Sequence, residues 1–301
     1  MNSQMITELK NRVSYGISPA LATPLSGYEV KTDVAVELAT WLIGKGSKGL
    51  FIGGTTGEGI TLDLAQRKRL QAAAIPACVQ AGGVAMAHAG TNNLRDTLDL
   101  ATHAAENGAE IVAILPGYFY GLDDEAMLDY FKAVGAAIPE TGLMFYDIPH
   151  MSGNGASPTL VKKLCAAVPN FVGLKSSRKD ALVIRSLIEA LDGVRFILSG
   201  NEQMASGLQV LGVSGMITGL STAVPEPFIK MGAAIKVGDI ATAQTCQSQI
   251  NRILALTPAG KRVAFLKKIV TERGFDVGDP LPPRPSTTEH FWDQIQAILQ
   301  D

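Results

Sequence analysis

The chain has 301 residues, 47% of them hydrophobic and 18% charged, with a formal net charge of -2 and no dense Lys/Arg block. That is ample for a large core in one α/β domain, and it argues against nucleic acid and anionic membrane surfaces as partners. The first sixteen residues mix Glu8, Lys10 and Arg12 into the apolar positions, unlike a signal peptide, and no apolar run approaches the length of a membrane span. A soluble, cytoplasmic protein is expected.

Short apolar runs recur along the chain, each followed by Gly, Thr or Pro and then by a longer amphipathic stretch. The pattern predicts strands at 16–22, 49–53, 84–88, 111–115, 142–146, 171–175, 195–199 and 215–218. Their starts are spaced by about 28 residues, the length of a β-α unit, and eight such units make a TIM (β/α)8 barrel. Three corners repeat: Gly46 before the strand at 49, Gly108 before Ile111 and Gly212 before Gly215. In each, a glycine can end a helix in the left-handed region, a short loop follows, and a strand begins. Their recurrence favours a parallel, right-handed layout.

Between the strands, Thr32 or Asp33 is the expected cap of a helix carrying Val34, Leu38, Trp41 and Leu42, and Asp123 or Asp124 of one carrying Met127, Leu128 and Phe131. Cys78, Cys165 and Cys246 fall singly in helical stretches with no CxxC or Cys/His cluster. They read as small buried hydrophobes in a reducing compartment. After Val224-Pro225-Glu226-Pro227 the alternation stops, and helices are predicted through Leu256, over 261–273 and over 288–299. The Pro-rich run 280–285 reads as a stiff connector. The expected division is a barrel with a short N-terminal segment over 1–227, then the last barrel helix and a C-terminal helical appendage over 228–301.

The run Phe171-Val172-Gly173-Leu174 ends in Lys175, with Ser176 and Ser177 behind it. A charge between an apolar run and two small hydroxyl residues fits a buried strand opening onto a pocket; the plainer reading is a surface lysine past a strand end. A lysine amine attacks a ketone only when unprotonated, which desolvation or neighbouring charge can bring about. Lys175 is the candidate nucleophile.

In a barrel the loops after the strands build the site. The second strand leads into Gly53-Gly54-Thr55-Thr56-Gly57-Glu58-Gly59, where free amides and two hydroxyls can cradle a carboxylate or phosphate, although a bare Gly/Thr loop also fits an ordinary turn. The fourth strand ends in Pro116-Gly117-Tyr118-Phe119-Tyr120 and the fifth in Phe145-Tyr146-Asp147-Ile148-Pro149. One strand over from Lys175, the Tyr146 phenol can act as a proton carrier. An amine, a phenol and an anion cradle suggest Schiff-base chemistry on a 2-keto acid. Lys175 would condense with the C2 carbonyl, Tyr146 would take the C4 hydroxyl proton as the C3–C4 bond breaks, and Gly54, Thr55 and Thr56 would hold the carboxylate. The expected partners are a small 2-keto acid and an aldehyde, with no metal and no cofactor.

These motifs together, Gly54-Thr55-Thr56-Gly57-Glu58, Tyr146-Asp147-Ile148-Pro149 and Gly173-Leu174-Lys175, resemble the class I aldolases grouped around N-acetylneuraminate lyase and dihydrodipicolinate synthase, from about Gly16 to Pro227. The resemblance implies Lys175 as the Schiff-base lysine, Tyr146 as the catalytic tyrosine, Thr55 and Thr56 as the carboxylate-binding pair, and Tyr118 as a tyrosine that in some members reaches the neighbouring subunit's site. Tyr118 and Thr56 therefore join the catalytic set, and a homotetramer is implied.

Departures from the family pattern bear on the substrate. Met151 stands where the synthases carry an arginine five residues after the catalytic tyrosine, and a thioether cannot pair with a carboxylate. Asn201-Glu202 occupies the place of an acidic pair that holds sugar hydroxyls in the lyases, and Ser177 that of a threonine. Gly219 replaces a hydroxyl residue, and Asp147 and His150 flank the tyrosine motif unusually. The expected substrate is a 2-keto-3-deoxy sugar acid shorter than sialic acid, bound by Ser177, Asn201, Glu202, Gly219 and His150. Alternatives within the enzyme class are a Schiff-base dehydratase assisted by His150 or Asp147, and dihydrodipicolinate synthase itself. His88, His103, His150 and His290 lack the ligand spacing of a metal-dependent aldolase. A pyridoxal-phosphate barrel could place phosphate near 219–222, and a non-enzymatic barrel could merely sense a keto acid.

Overall fold

The structure, a computed structural model, describes residues 1–300. Helix α1 (Ser3–Val13) is capped by Asn2, whose side chain accepts the Met5 N–H at 3.0 Å, and it buries Ile6, Leu9 and Val13. A two-stranded hairpin of β1 (Leu25–Ser26) and β2 (Glu29–Val30) follows. The chain then alternates α2 (Thr32–Gly44), β3 (Gly49–Ile52), α3 (Leu64–Gln80), β4 (Val84–His88), α4 (Leu94–Glu106), β5 (Ile111–Ile114), α5 (Asp124–Ala137) and β6 (Gly142–Asp147). After the short α6 (Pro149–Ser152) come α7 (Pro158–Ala167), β7 (Phe171–Ser176), α8 (Ala181–Ala190), β8 (Phe196–Ser199), α9 (Ala205–Leu211) and β9 (Gly215–Met216).

Strands β3 to β9 form one parallel sheet in sequential order. Residues 15–21 close it. On one side Ser18 and Ala20 donate to the Met216 and Thr218 carbonyls at 2.8 and 2.9 Å; on the other Lys48 and Phe51 donate to Ile17 and Pro19 at 2.8 Å. The molecule is a TIM barrel whose first staves are bridges rather than the continuous strand predicted over 16–22. Pro19 has no N–H to donate, which interrupts the ladder there.

Two cores follow from the alternation of the strands. Val84, Met86, Ile111, Ala113, Met144 and Phe196 point inward and pack with Ile6, Leu9 and Val13, so α1 plugs the N-terminal end of the barrel. Outward residues such as Leu50, Val112, Leu143 and Leu174 pack against the surrounding helices. The three corner glycines have φ of 106, 92 and 119° at Gly46, Gly108 and Gly212. Behind them the Ser47, Ala109 and Val213 amides donate to the Leu42, Ala104 and Leu208 carbonyls, closing the same helix-ending motif three times.

Asp123 caps α5 as expected, accepting the Ala126 N–H at 2.8 Å. The α2 expectation is corrected: Lys31 holds the cap position but its side chain bonds Asp276 and not the helix, and Thr32 and Asp33 lie in the first turn, where the acidic side chain favours the helix dipole. The long C-terminal helix predicted through Leu256 is two helices, α10 (Glu226–Lys236) and α11 (Ile240–Ala255). Gly238 at φ 78° turns the chain, and Asp239 caps the second helix. Helices α12 (Arg262–Glu272) and α13 (Trp292–Gln300) complete the appendage. Among the described residues no helix is long and apolar enough to cross a membrane.

Candidate active site

Lys175 owes its direction to a one-residue irregularity. On β6 Leu143 and Phe145 face the helices while Met144 and Tyr146 face the barrel interior. Regular pairing along β7 would turn Lys175 outward with Phe171. Instead the register shifts, Leu143 pairing with Phe171 but Met144 with Gly173, so that Lys175 lies beside Tyr146. A bulge adds one residue and flips every side chain after it to the other face. Glycine permits this: Gly173 has φ 134°, and a Cβ there would lie 1.8 Å from the Phe196 carbonyl oxygen.

Inside, Lys175 is 5% exposed. Its Nζ sits 3.9 Å from the Tyr146 ring centroid and 5.0 Å from that of Phe51, and it lines a cavity of about 550 Å³ at the C-terminal ends of the strands. Tyr146 and Thr55 share a hydrogen bond of 2.8 Å between their hydroxyls. His88 packs edge-on against Tyr146, its Nδ1 3.1 Å from the Gly53 carbonyl oxygen. Burial, followed by the nearby Arg67 guanidinium, holds that imidazole well below the ordinary histidine range, so it is neutral.

The Gly/Thr loop is anchored from below. Glu58 has φ 57°, a left-handed conformation that a non-glycine side chain adopts at a cost of about 1–2 kcal/mol. Its buried carboxylate lies 2.9 Å from Lys267 on α12 and accepts the Leu281 N–H at 2.7 Å. The Pro-rich connector is thus also a buttress of the loop.

Of the residues singled out in the sequence, Lys175, Tyr146, Thr55, Thr56, Ser177, Asn201, Glu202, Gly219 and His150 line this one cavity. Gly54 and Tyr118 do not. Gly54 lies against the Phe51 ring, which a Cβ would meet at 2.4 Å. Tyr118 lines a separate depression with Asn92 and Tyr130, its N–H donating to Asn92 Oδ1 at 2.7 Å. Asp147 is corrected as a helper: it faces away from the cavity, fully buried, and both its oxygens are engaged by Arg178, Ser176 and the Ala156 amide. A phosphate cup built from the amides near 219–222 is also set aside, because the Leu220 amide there is already taken at 2.6 Å by the Glu202 carboxylate. Met151 is exposed and outside the cavity.

Sequence reasoning missed Lys179, Gln203, Leu254, Thr257 and Arg262, all on the cavity wall. Arg262 pairs with Glu202. One cue was available: Arg262 opens a helix whose first turn has no acidic residue, against the dipole preference, so its charge serves something outside the helix.

Among the described residues no group of three or more His, Cys, Asp or Glu side chains is placed to hold a metal ion.

The family model described as the dihydrodipicolinate synthetase family matches residues 13–301. The chain belongs to this family. Its members are carbon–carbon lyases of the class I aldolase type, and so is this chain. It is 27% identical to N-acetylneuraminate lyase of Mediterraneibacter gnavus over 301 aligned residues, 97% of this chain and 94% of that one. Over 229 residues, 76% of this chain and 78% of the other, it is 28% identical to 4-hydroxy-tetrahydrodipicolinate synthase of Fervidobacterium nodosum. Among solved structures, the wild-type Ruminococcus gnavus sialic acid aldolase superposes with a TM-score of 0.89 at 24% identity, covering 96% of each chain. A prophage protein of the dihydrodipicolinic acid synthase family from E. coli K12, in complex with pyruvate, gives 0.85 at 25% identity, covering 95% of this chain and 97% of that one.

Proposed function

We propose that the protein is a pyruvate-dependent class I aldolase that cleaves or forms a 2-keto-3-deoxy sugar acid, with Lys175 as nucleophile and Tyr146 as proton carrier. The observation that carries this reading is the buried Lys175 amine, with no carboxylate partner among the described residues, over the ring of a tyrosine whose hydroxyl is bonded to Thr55.

The Lys175 amine adds to the C2 carbonyl, and loss of water leaves a protonated iminium. Tyr146, having given its own proton to the departing water, then accepts the C4 hydroxyl proton; the C4–O electrons form the aldehyde carbonyl, and the C3–C4 pair moves into the iminium to give an enamine. Protonation at C3 and hydrolysis release pyruvate and free the amine. Thr55 orients the phenol and can pass its proton on, while Thr56 and the Thr55 and Thr56 amides hold the keto acid's carboxylate; Gly54, outside the cavity, only shapes the loop. Ser177, Asn201, Glu202 and His150 are the groups available to the remaining hydroxyls; Gly219 leaves space beside Thr56. His150 on the cavity wall also supports a second reading, a dehydratase that expels a hydroxyl from the same Schiff base.

The exposed Phe119 and Tyr120 beside Tyr118 support assembly of several copies, a tetramer in this reading, with Tyr118 serving a neighbour's site. The experiment is borohydride reduction with pyruvate, followed by peptide mapping. One reduced adduct on Lys175 is expected. An adduct confined to Lys45, Lys48 or another lysine sinks the assignment, and an unchanged mass leaves a keto-acid-binding barrel.

A further inference from the structure

The charges around the cavity do not balance for a neutral aldehyde. Once Lys175 carries the iminium, three cations reach it, Lys175, Lys179 and Arg262, against one carboxylate, Glu202. Glu202 already accepts the Leu220 amide and Arg262 Nη2. Among the described residues Lys179 has no ionic partner, and Nε and Nη1 of Arg262 have no hydrogen-bond partner. One excess cation answers the carboxylate of the keto acid. The other remains.

Geometry places that remaining charge beyond the reacting carbons. Gly219 lies between the keto-acid cradle and the guanidinium: a Cβ built on it would be 2.8 Å from Thr56 Oγ1 and 3.7 Å from Arg262 Nη2. Without a side chain at 219, Arg262 Nη2, the nitrogen that Glu202 engages, borders the same space as Thr56, and Nε and Nη1 of the same guanidinium remain without a partner. Glu202 fixes one of its nitrogens and leaves the rest of the planar donor set free, the arrangement that suits a carboxylate or phosphate. Glu202 thereby serves as the holder of Arg262 more than as a reader of sugar hydroxyls.

We propose that the substrate carries a second anionic oxygen group at its aldehyde end, recognised by Arg262 with help from Lys179. This deepens the aldolase reading and rests on it: the sugar acid is one that ends in a second acid. Met151 then does not rule out an acidic acceptor, because the cation sits on α12 instead of after the catalytic tyrosine.

The test compares aldehydes of one length in the addition to pyruvate: glyceraldehyde, its carboxylate counterpart tartronate semialdehyde, and glyceraldehyde 3-phosphate. The unmodified enzyme should favour one of the anionic aldehydes over glyceraldehyde by at least about tenfold in kcat/KM, and which one it favours assigns the anion as carboxylate or phosphate. Arg262→Gln should reduce that ratio by about 10- to 100-fold, the range for a lost bond to a charged group. Lys179→Gln, at an exposed position that no fold contact depends on, should reduce it a few-fold and keeps the test valid if Arg262→Gln does not fold. A Lys175 adduct with pyruvate, together with equal or better use of glyceraldehyde, overturns this inference and leaves the aldolase reading standing. A preference for the anion that survives both substitutions also overturns it. Absence of any adduct overturns both readings.

Discussion

Lys267→Met probes the anchor under the Gly/Thr loop. Lys267 and Glu58 are 1% and 0% exposed, and Lys267 Nζ lies 2.9 Å from the carboxylate. Burial lowers the lysine's pKa and Glu58 raises it in opposition. Methionine keeps the stem and deletes the charge, leaving Glu58 with the Leu281 amide and with Arg284 at 3.7 Å, too far for a direct bond. Breaking a buried pair from one side costs about 3–5 kcal/mol. At roughly 2–4 °C per kcal/mol for a chain approaching this size, thermal unfolding at pH 7 should fall by about 6–20 °C. Glu58→Gln combined with Lys267→Met removes both charges and should recover most of that loss, because whole-pair replacement is nearly neutral. Calorimetry on the wild type, the two single variants and the double variant isolates the coupling. A drop under about 2 °C for Lys267→Met, or a double variant as unstable as the sum of the singles, would refute the claim that this pair holds the loop.

Tyr146→Phe retains the ring over Lys175 and removes the proton carrier; turnover should fall by roughly 10²–10⁴ while circular dichroism stays unchanged, and near-full turnover would transfer the role to another group. Gly173→Ala forces a Cβ to within 1.8 Å of a carbonyl oxygen at φ 134°; the protein should lose several kcal/mol of stability, and an alanine variant with normal melting would show that the bulge does not need glycine. His88 is held well below its ordinary pKa of 6.5. Between 6.5 and its folded value, the unfolded chain binds a proton there that the folded one does not. Stability is therefore complete above about 6.5 and falls as pH drops, by up to about 1.4 kcal/mol per unit. Denaturant titrations from pH 7 to 5 should show that slope, reduced in His88→Gln; equal slopes would place the sensitivity elsewhere.

The repeating β-α unit and the corner glycines were legible because each is a local pattern: a strand's apolar run, or a residue that tolerates positive φ. The lysine and the tyrosine were legible because each closes its strand's apolar run, and the threonine pair because it stands in the glycine loop just past β3. Long-range closure was not. The strand expected at 16–22 depends on partners nearly 200 residues away, and Pro19 breaks it up. Arg262 and Thr257 reach the cavity from an appendage whose apolar stripes predict only packing, and the bulge that aims Lys175 shows itself only when β6 and β7 are paired. Asp147 illustrates the converse. Next to Tyr146 in sequence, it lies on the opposite face of the strand and serves Arg178.

Closure through residues 15–21 sets an order of events during synthesis. The first staves leave the ribosome early, yet their second neighbour, the segment at Ser214 to Thr218, emerges only after about two-thirds of the chain. Until then the growing sheet has an open edge on each side, and α1 has only part of its barrel floor to cover. Open parallel edges invite pairing with other chains, and contacts so distant in sequence form slowly. Pro19 does not shield that edge: its missing N–H faces β3, and the waiting side keeps the free Ser18 and Ala20 amides until Met216 and Thr218 arrive.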